Sequence, residues 1–361
     1  MSSSAATHVD LLIIGGGPAG LATASTFARL KRSTSIYDSH VYRNANSAAA
    51  HTLMGFEGQD PVVHRRKARE EIERDYDWVN FRDDTIVSLE RNDKSGSGFE
   101  GLDLTTFKAV DKTGREVLAR KVVLATGLKD KMPDIPGITE IWGRRAVHCI
   151  FCHGTETSTS PIAVLLNTDA PHFNAMLLDS FTKLWATLKH PKVYILTHGI
   201  DPWTPEGEEK SGMKKFQDII KARRYDIITS PLTSVDSSND DHLTIHFQDS
   251  SSIQVGNINM FPSALLAHSD AESFLRPSLF DGQSLTPMST VPIIKPDQLS
   301  EGDLRFPPFF GDDPRTIVRG LFWAGNCGNA MGNINLSVLQ GQIAGFGAGE
   351  ELGREDMEAE V

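Results

Sequence analysis

The chain has 361 residues, 39 % of them apolar, which is enough for two domains of ordinary size with a core each. Its formal net charge of −11 is spread along the chain, which argues against nucleic acid or an anionic membrane surface as the main partner. No apolar run is long enough to span a bilayer, and residues 1–10 lack the basic-then-apolar pattern of a secretory signal, so a cytoplasmic protein is expected.

Residues 9–14 are a short apolar run, followed at once by Gly15-Gly16-Gly17-Pro18-Ala19-Gly20. A helical pattern over 21–30 and a second short strand over 35–37 lead to Asp38. Strand, glycine turn, helix, strand and acid together form a dinucleotide-binding fingerprint. Gly15 permits the tight turn, Gly17 lets backbone approach a pyrophosphate, and Gly20 lets the helix pack on the strand. The pyrophosphate then meets the positive end of the helix that Pro18 and Ala19 begin, and Asp38 stands where ribose hydroxyls are held.

Residues 43–61 read as a loop and 62–76 as a helix with a solvated charged face. Strands over 85–89, 102–110 and 116–118, with turns at 95–98 and 112–114, suggest a small antiparallel sheet. A separate buried strand over 122–127 ends in Thr126-Gly127. Residues 128–142, with Pro133, Pro136 and Gly137, read as an interdomain connection. Beyond it lie strands over 161–166, 193–196 and 227–228, helices over 174–188 and 213–224, and a hairpin of 243–247 with 252–255, so a second α/β unit occupies the middle. Residues 258–266 are apolar, 281–310 irregular, and 320–326 a strand ending in the polar turn Gly325-Asn326 before a small-residue helix over 336–347.

Between connection and second unit stands His148-Cys149-Ile150-Phe151-Cys152-His153. The chain has 3 cysteines, too few for a disulfide-stapled secreted scaffold, and a C-x-x-C in an α/β chain reads as redox-active. The spacing could be half of a zinc site, but a closed site takes four ligands, and His148 and His153 are too near in sequence to complete one easily; no metal is expected. A reactive thiolate needs a lowered pKa, and His148 and His153 are the local charge partners or proton acceptors. Cys327 reads as a small buried hydrophobe.

Taken in order, the run from Gly15 to Gly20, Ala125-Thr126-Gly127, Cys149-x-x-Cys152 and the run from Leu321 to Asn326 resemble the low-molecular-weight thioredoxin reductase family over nearly the whole chain. Arg43-Asn44, His51, Gly55-x-x-Gly58 and the Cys-x-Phe-Cys-His-Gly run liken it further to fungal thioredoxin reductase-like dithiol oxidases. Those enzymes form the disulfide of epidithiodioxopiperazine metabolites with molecular oxygen. The resemblance implies an α/β chain of two Rossmann-like three-layer domains, assembled as a homodimer. A discontinuous FAD domain (1–128 and 258–361) is interrupted by a degenerate nicotinamide-type domain (129–257) that carries the cysteines. It implies FAD held by Gly15, Gly17, Pro18, Ala19, Gly20, Asp38, Arg43, Asn44, His51, Thr126, Gly127, Gly325 and Asn326. His51 also has a plainer reading, as a hydrogen-bonded loop residue. Cys152 is then the flavin-proximal sulfur and Cys149 the substrate-facing one, acting on a small-molecule dithiol with O2 as acceptor and H2O2 as product.

The chain departs from that family in three places. Residues 162–166 run into Asn167-Thr168-Asp169-Ala170-Pro171-His172, with no glycine for a phosphate turn and an acid where a pyrophosphate would sit. The strand over 193–196 runs into Thr197-His198-Gly199 instead of arginines that would grip a 2′-phosphate. Asn326 replaces the usual aspartate. Both halves of an NADPH site are thus missing. The competing reading is a disulfide reductase fed by ferredoxin or another non-nicotinamide donor.

Overall fold

The computed structural model describes residues 6–92, 106–268, 270–294 and 313–360. The turn expected at 95–98, the start of the strand expected from 102, and most of the irregular stretch 281–310 lie outside them. Contacts divide the chain into two units, residues 1–43, 62–129 and 265–361 in the first and residues 44–61 and 130–264 in the second.

In the first unit, β1 (Thr7–Ile14), α1 (Pro18–Ala28), β2 (Thr34–Tyr37), α2 (Pro61–Asp75), β3 (Val79–Arg82), β4 (Ile86–Asn92), β5 (Thr106–Asp111) and β6 (Glu116–Leu124) follow in order. They form one sheet, β3-β2-β1-β6-β5-β4, in which β3, β2, β1 and β6 run parallel and β4 and β5 antiparallel. The chain passes to the second unit along β7 (Leu128–Lys131). There α3 (Ile138–Ile141), β8 (Ala146–Val147), α4 (Ile150–Thr157), β9 (Ile162–Leu165), α5 (Asn174–Lys183), β10 (Val193–Leu196), α6 (Pro205–Ser211), α7 (Gln217–Ala222) and β11 (Asp226–Ile228) follow. A three-stranded antiparallel sheet of β12 (Leu232–Asp236), β13 (Leu243–Phe247) and β14 (Ser252–Val255) precedes β15 (Asn257–Asn259). The main sheet here is all parallel, in the order β11-β10-β9-β15-β8. The chain returns along β16 (Ala264–Ala267), which pairs with β7, and ends in β17 (Leu321–Trp323) and α8 (Ile334–Ala359). The chain is therefore an α/β protein with two Rossmann-like sheets, the first mostly parallel with β4 and β5 antiparallel at its edge, the second all parallel.

Strand β6 corrects the sequence reading, which split it at Arg120 and Lys121. It is continuous. Its first half pairs with β5 and its second with β17, where Leu321 faces Val122. Arg120 and Lys121 are 6 % and 1 % exposed. A buried cation is tolerated only when paired, and α8 supplies the partners. Lys121 Nζ reaches Glu351 Oε1 at 2.9 Å and also bonds Glu355, while Arg120 bonds Asp356 at 2.7 Å. The same helix packs closely on α1, since a Cβ at Gly341 would lie 2.2 Å from the Ala19 carbonyl oxygen.

The domain limits also differ from expectation. Residues 44–61 group with the second unit, not with the dinucleotide half, and the return to the first unit falls after 264, not 257. The loop's polar groups find their partners there: Arg144 Nε donates to the Asn46 carbonyl at 2.9 Å, and His51 lies 3.3 Å from Glu156. Among the described residues, no helix is long and apolar enough to cross a membrane.

Candidate functional site

In the first unit, three turns converge at the carboxyl ends of β1, β6 and β17. Gly15 has φ +118°, and a Cβ there would lie 2.2 Å from the Ala125 oxygen, so the glycine turn sits hard against the end of β6. A Cβ at Gly20 would meet the Gly15 oxygen at 1.8 Å, and one at Gly325 the Ala19 Cβ at 2.9 Å. Gly127 is left-handed, and Thr126 beside it is half-buried near the Cys327 thiol.

Gly17 differs from its neighbours. It is extended (φ −73°), caps α1, and a Cβ there would meet nothing nearer than the Tyr42 ring at 4.0 Å. The fold does not require glycine at this position; bare backbone here leaves room for a ligand. Pro18 opens α1, no side chain caps it, and its first turn holds no acid, so its leading amides are left without a side-chain cap. These features fit a dinucleotide pyrophosphate.

Asp38 is 5 % exposed and already engaged: His40 N donates to Oδ1 at 2.9 Å and Tyr42 Oη to Oδ2 at 2.5 Å. Burial and then the bond to Asp38 push the Tyr42 phenol well above its ordinary pKa, and the Arg65 guanidinium lies 3.9 Å over its ring. A ribose at Asp38 would share it with Tyr42, a residue that no sequence motif singles out. Arg43 donates to the Ala330 carbonyl at 3.1 Å, and Asn326 Nδ2 to that of Asn329 at 2.9 Å, so both residues brace the loop after β17. Asn44 and His51, grouped with these by sequence, lie in the second unit. Gln340 of α8 was not foreseen; it is buried, and neither end of its amide bonds protein.

In the second unit the cysteines open α4. Cys149 is its N-cap and Cys152 lies in its first turn, with the two joined as a disulfide at a Cα–Cα separation of 5.3 Å. Cys152 N and His153 N both donate to the Cys149 carbonyl. Once the disulfide opens, the positive end of this helix favours a thiolate at the capping sulfur. His148 stacks on Trp142, with centroids 5.5 Å apart and planes at 18°, and also touches Phe261. Burial pushes the His153 imidazole below its ordinary pKa, Glu156 one turn on opposes this, and His51 adds to it. His51 lies in the same unit as the redox helix. Its Nδ1 lies 2.7 Å from Glu57 and its Nε2 3.3 Å from Glu156, so it ties the 44–61 loop to the redox helix. Cys327 is buried, donates to the Leu124 carbonyl and is held as a thiol by burial, as expected of a packing residue.

The turn after β9 is where a nicotinamide domain cradles phosphate. Here its amides are consumed. Asn174 Oδ1 accepts from Asn167 N at 2.7 Å, and Asn167 Oδ1 accepts from Asp169 N at 2.9 Å and Ala170 N at 3.0 Å. Asn167 Nδ2 bonds the Pro262 carbonyl, and Asn174 Nδ2 bonds the Asn167 and Lys210 carbonyls. Asn174 is fully buried and Asn167 nearly so. After β10, His198 Nδ1 accepts from Leu232 N at 2.9 Å.

A dinucleotide turn on the parallel part of one sheet and a cysteine pair beside a second, all-parallel sheet are the parts of a flavin-linked disulfide oxidoreductase. Residues 9–165 match the model of the pyridine nucleotide-disulphide oxidoreductase family. Over nearly its whole length the chain is similar to fungal thioredoxin reductases. It is 29 % identical to thioredoxin reductase sirT of Leptosphaeria maculans, covering 97 % of this chain and 96 % of that one. It is likewise 29 % identical to thioredoxin reductase tcpT of Claviceps purpurea, over 97 % and 96 % of the two chains. The crystal structure of a thioredoxin reductase TrxB from Bacillus anthracis superposes with a TM-score of 0.74 at 20 % identity, over 96 % of this chain and 99 % of that one, a likeness of fold.

Proposed function

We propose that the protein is an FAD-dependent dithiol oxidase: a small-molecule dithiol and O2 become the cyclic disulfide and H2O2. The observation that carries this reading is the Asn167 turn. With three of its amides bonded to asparagine side chains, this turn offers no cradle for a nicotinamide phosphate, which supports a reading in which electrons enter from the thiol side.

Gly15, Gly17 and Gly20 with Pro18 and Ala19 would hold the pyrophosphate. Asp38, Thr126, Gly127, Gly325 and Asn326, with Arg43 bracing the loop, would complete the first-unit share of the FAD site. FAD, when bound, supplies a two-electron acceptor that O2 can reoxidise. A substrate thiolate attacks Cys149 Sγ, the Cys149–Cys152 bond breaks, and the electron pair leaves on Cys152. The second substrate thiolate attacks the sulfur bonded to Cys149, releasing oxidised substrate and leaving the enzyme pair with two electrons. His153, held neutral by burial, accepts a proton from the incoming thiol, and His148 stands next to Cys149 as the other acceptor. In this reading the enzyme is a homodimer, as its resemblance implies.

Oxygen uptake with a simple dithiol and no nicotinamide tests the proposal. Uptake with one H2O2 per disulfide supports it. Turnover only with a reduced protein donor and a disulfide substrate would support the reductase instead.

A further inference from the structure

The loop of residues 44–61 has a fixed shape and is tied to the redox helix. Arg144 Nε holds its start through the Asn46 carbonyl. Ala50 N donates to the Gln59 carbonyl at 2.7 Å and Gly58 N to the Ala50 carbonyl at 2.9 Å, so residues 50–59 form a closed turn. Ala50 and Leu53 are buried. Between them Thr52 is left-handed, with φ +60°, a costly conformation for a β-branched residue. Its amide donates to Glu57 Oε2 at 2.7 Å, and Glu57 Oε1 lies 2.7 Å from His51 Nδ1. One carboxylate thus fixes both the strained backbone and the ring beside it.

The other ring nitrogen of His51, Nε2, lies 3.3 Å from Glu156 of α4. Glu156 follows His153 by three residues, so the two stand on one side of the helix. Of the charges acting on His153, Glu156 favours the imidazolium and His51 opposes it. The turn of Trp185–Leu188 also packs on α4 and leads into Lys189 and His190, but His190 Nδ1 lies 3.2 Å from the Ser160 carbonyl, beyond the helix's C-terminal end. His148, before the cysteines, is stacked on Trp142.

We propose that His51 is a positioning residue for the redox helix: it pairs with Glu156 and so withholds that charge from His153, leaving the imidazole next to Cys152 free to take a thiol proton. The assignment rests on the dithiol oxidase reading and deepens it. It gives the loop a task in the reaction without any contact between His51 and the substrate.

The test is a histidine-selective NMR titration of the flavin-loaded enzyme in its disulfide form, with the His153 signal assigned from His153→Gln, beside the pH profile of kcat/KM for dithiothreitol. His51→Gln keeps a hydrogen-bonding side chain without charge, and should raise the His153 midpoint by about half a pH unit, the size expected of a part-exposed ion pair. His51→Lys restores the cation and should return the midpoint to within about 0.2 unit of the wild type. The acid limb of kcat/KM should follow the midpoint in each variant. No rise in His51→Gln, or the same rise in His51→Lys, overturns the pairing. A midpoint that moves while the limb stays removes His153 from the reaction and the positioning role with it, and leaves the oxidase reading standing. If the wild type takes up no oxygen with the dithiol, the oxidase reading fails, while the NMR midpoints, measured without turnover, still decide whether His51 withholds Glu156 from His153.

Discussion

Gly17→Ala separates what the glycine turn does for the fold from what it does for the cofactor. At Gly15 and Gly20 a Cβ would lie 2.2 Å and 1.8 Å from backbone oxygens, and Gly15 has a left-handed φ of +118°, so alanine at either position disrupts the turn. At Gly17 the φ of −73° suits any residue and a Cβ meets only the Tyr42 ring at 4.0 Å. Alanine there gains about 0.4–1 kcal/mol from the restricted unfolded chain. It gives back about 0.5–1 kcal/mol because it is a poorer N-cap than glycine. The flavin-free variant should therefore match the flavin-free wild type within about 1 kcal/mol in urea denaturation. Its added methyl occupies the open space at Gly17, so FAD reconstitution followed by absorbance should show at least about a hundredfold weaker binding, the equivalent of roughly 2.7 kcal/mol. Full FAD retention by Gly17→Ala would show that the pyrophosphate does not approach here. Loss of the flavin-free fold would show that the glycine is structural after all.

NADPH is expected neither to bleach the flavin nor to support turnover; stopped-flow reduction at a rate matching turnover contradicts the account of the Asn167 turn. The acid limb of kcat/KM is expected below the ordinary histidine value of about 6.5, because burial lowers His153. Glu156→Gln removes the carboxylate that favours the imidazolium, so neutral His153 persists to lower pH and the limb moves further down; an upward move or none rules out His153 as the base. Lys121→Met leaves Glu355 buried with only the Arg120 contact at 3.3 Å and Arg319, and should cost about 3 kcal/mol in denaturant titration, toward the low end for breaking a buried pair. Adding Glu355→Leu should recover most of that loss, and a lack of recovery would mean that Lys121 contributes by packing alone.

The features legible in the sequence are those that steric demand fixes at set spacings. Gly15 and Gly20 are required by backbone contacts, and the cysteine pair by its own bond, so residue type and position carry the signal. Features set by distant partners were not legible. Arg120-Lys121 looks like a break between strands until α8, more than two hundred residues later, brings Glu351 and Glu355 to it. Helix α4 begins Ile-Phe-Cys and contains Gly154, a composition with no helical signal; a Cβ at Gly154 would meet Ile150 at 2.7 Å and Leu188 at 3.3 Å, contacts the sequence does not reveal. The resemblance placed His51 at the flavin; its partners Glu57 and Glu156, which tie its loop to the redox helix, are not legible in the sequence.

The loss of the nicotinamide cradle goes deeper than a missing glycine, and this bears on the direction of electron flow. Restoring the sequence pattern with Asn167→Gly would not free a phosphate site. It would strip two amides, Asp169 N and Ala170 N, and the Pro262 carbonyl of their partners at once. Each buried group left unsatisfied costs about 1–3 kcal/mol, so a loss of roughly 3 kcal/mol is expected even if water reaches some of them. Asn174 would still hold Asn167 N and the Lys210 carbonyl. The variant should therefore be destabilised in denaturant titration and still fail to bind immobilised 2′,5′-ADP. If it binds that ligand and keeps wild-type stability, the asparagine pair is a plug over an intact site, and the protein is one substitution from an NADPH-fed reductase. If it does not, the asparagines are part of the core of the second unit, and a nicotinamide is not the electron donor at this turn.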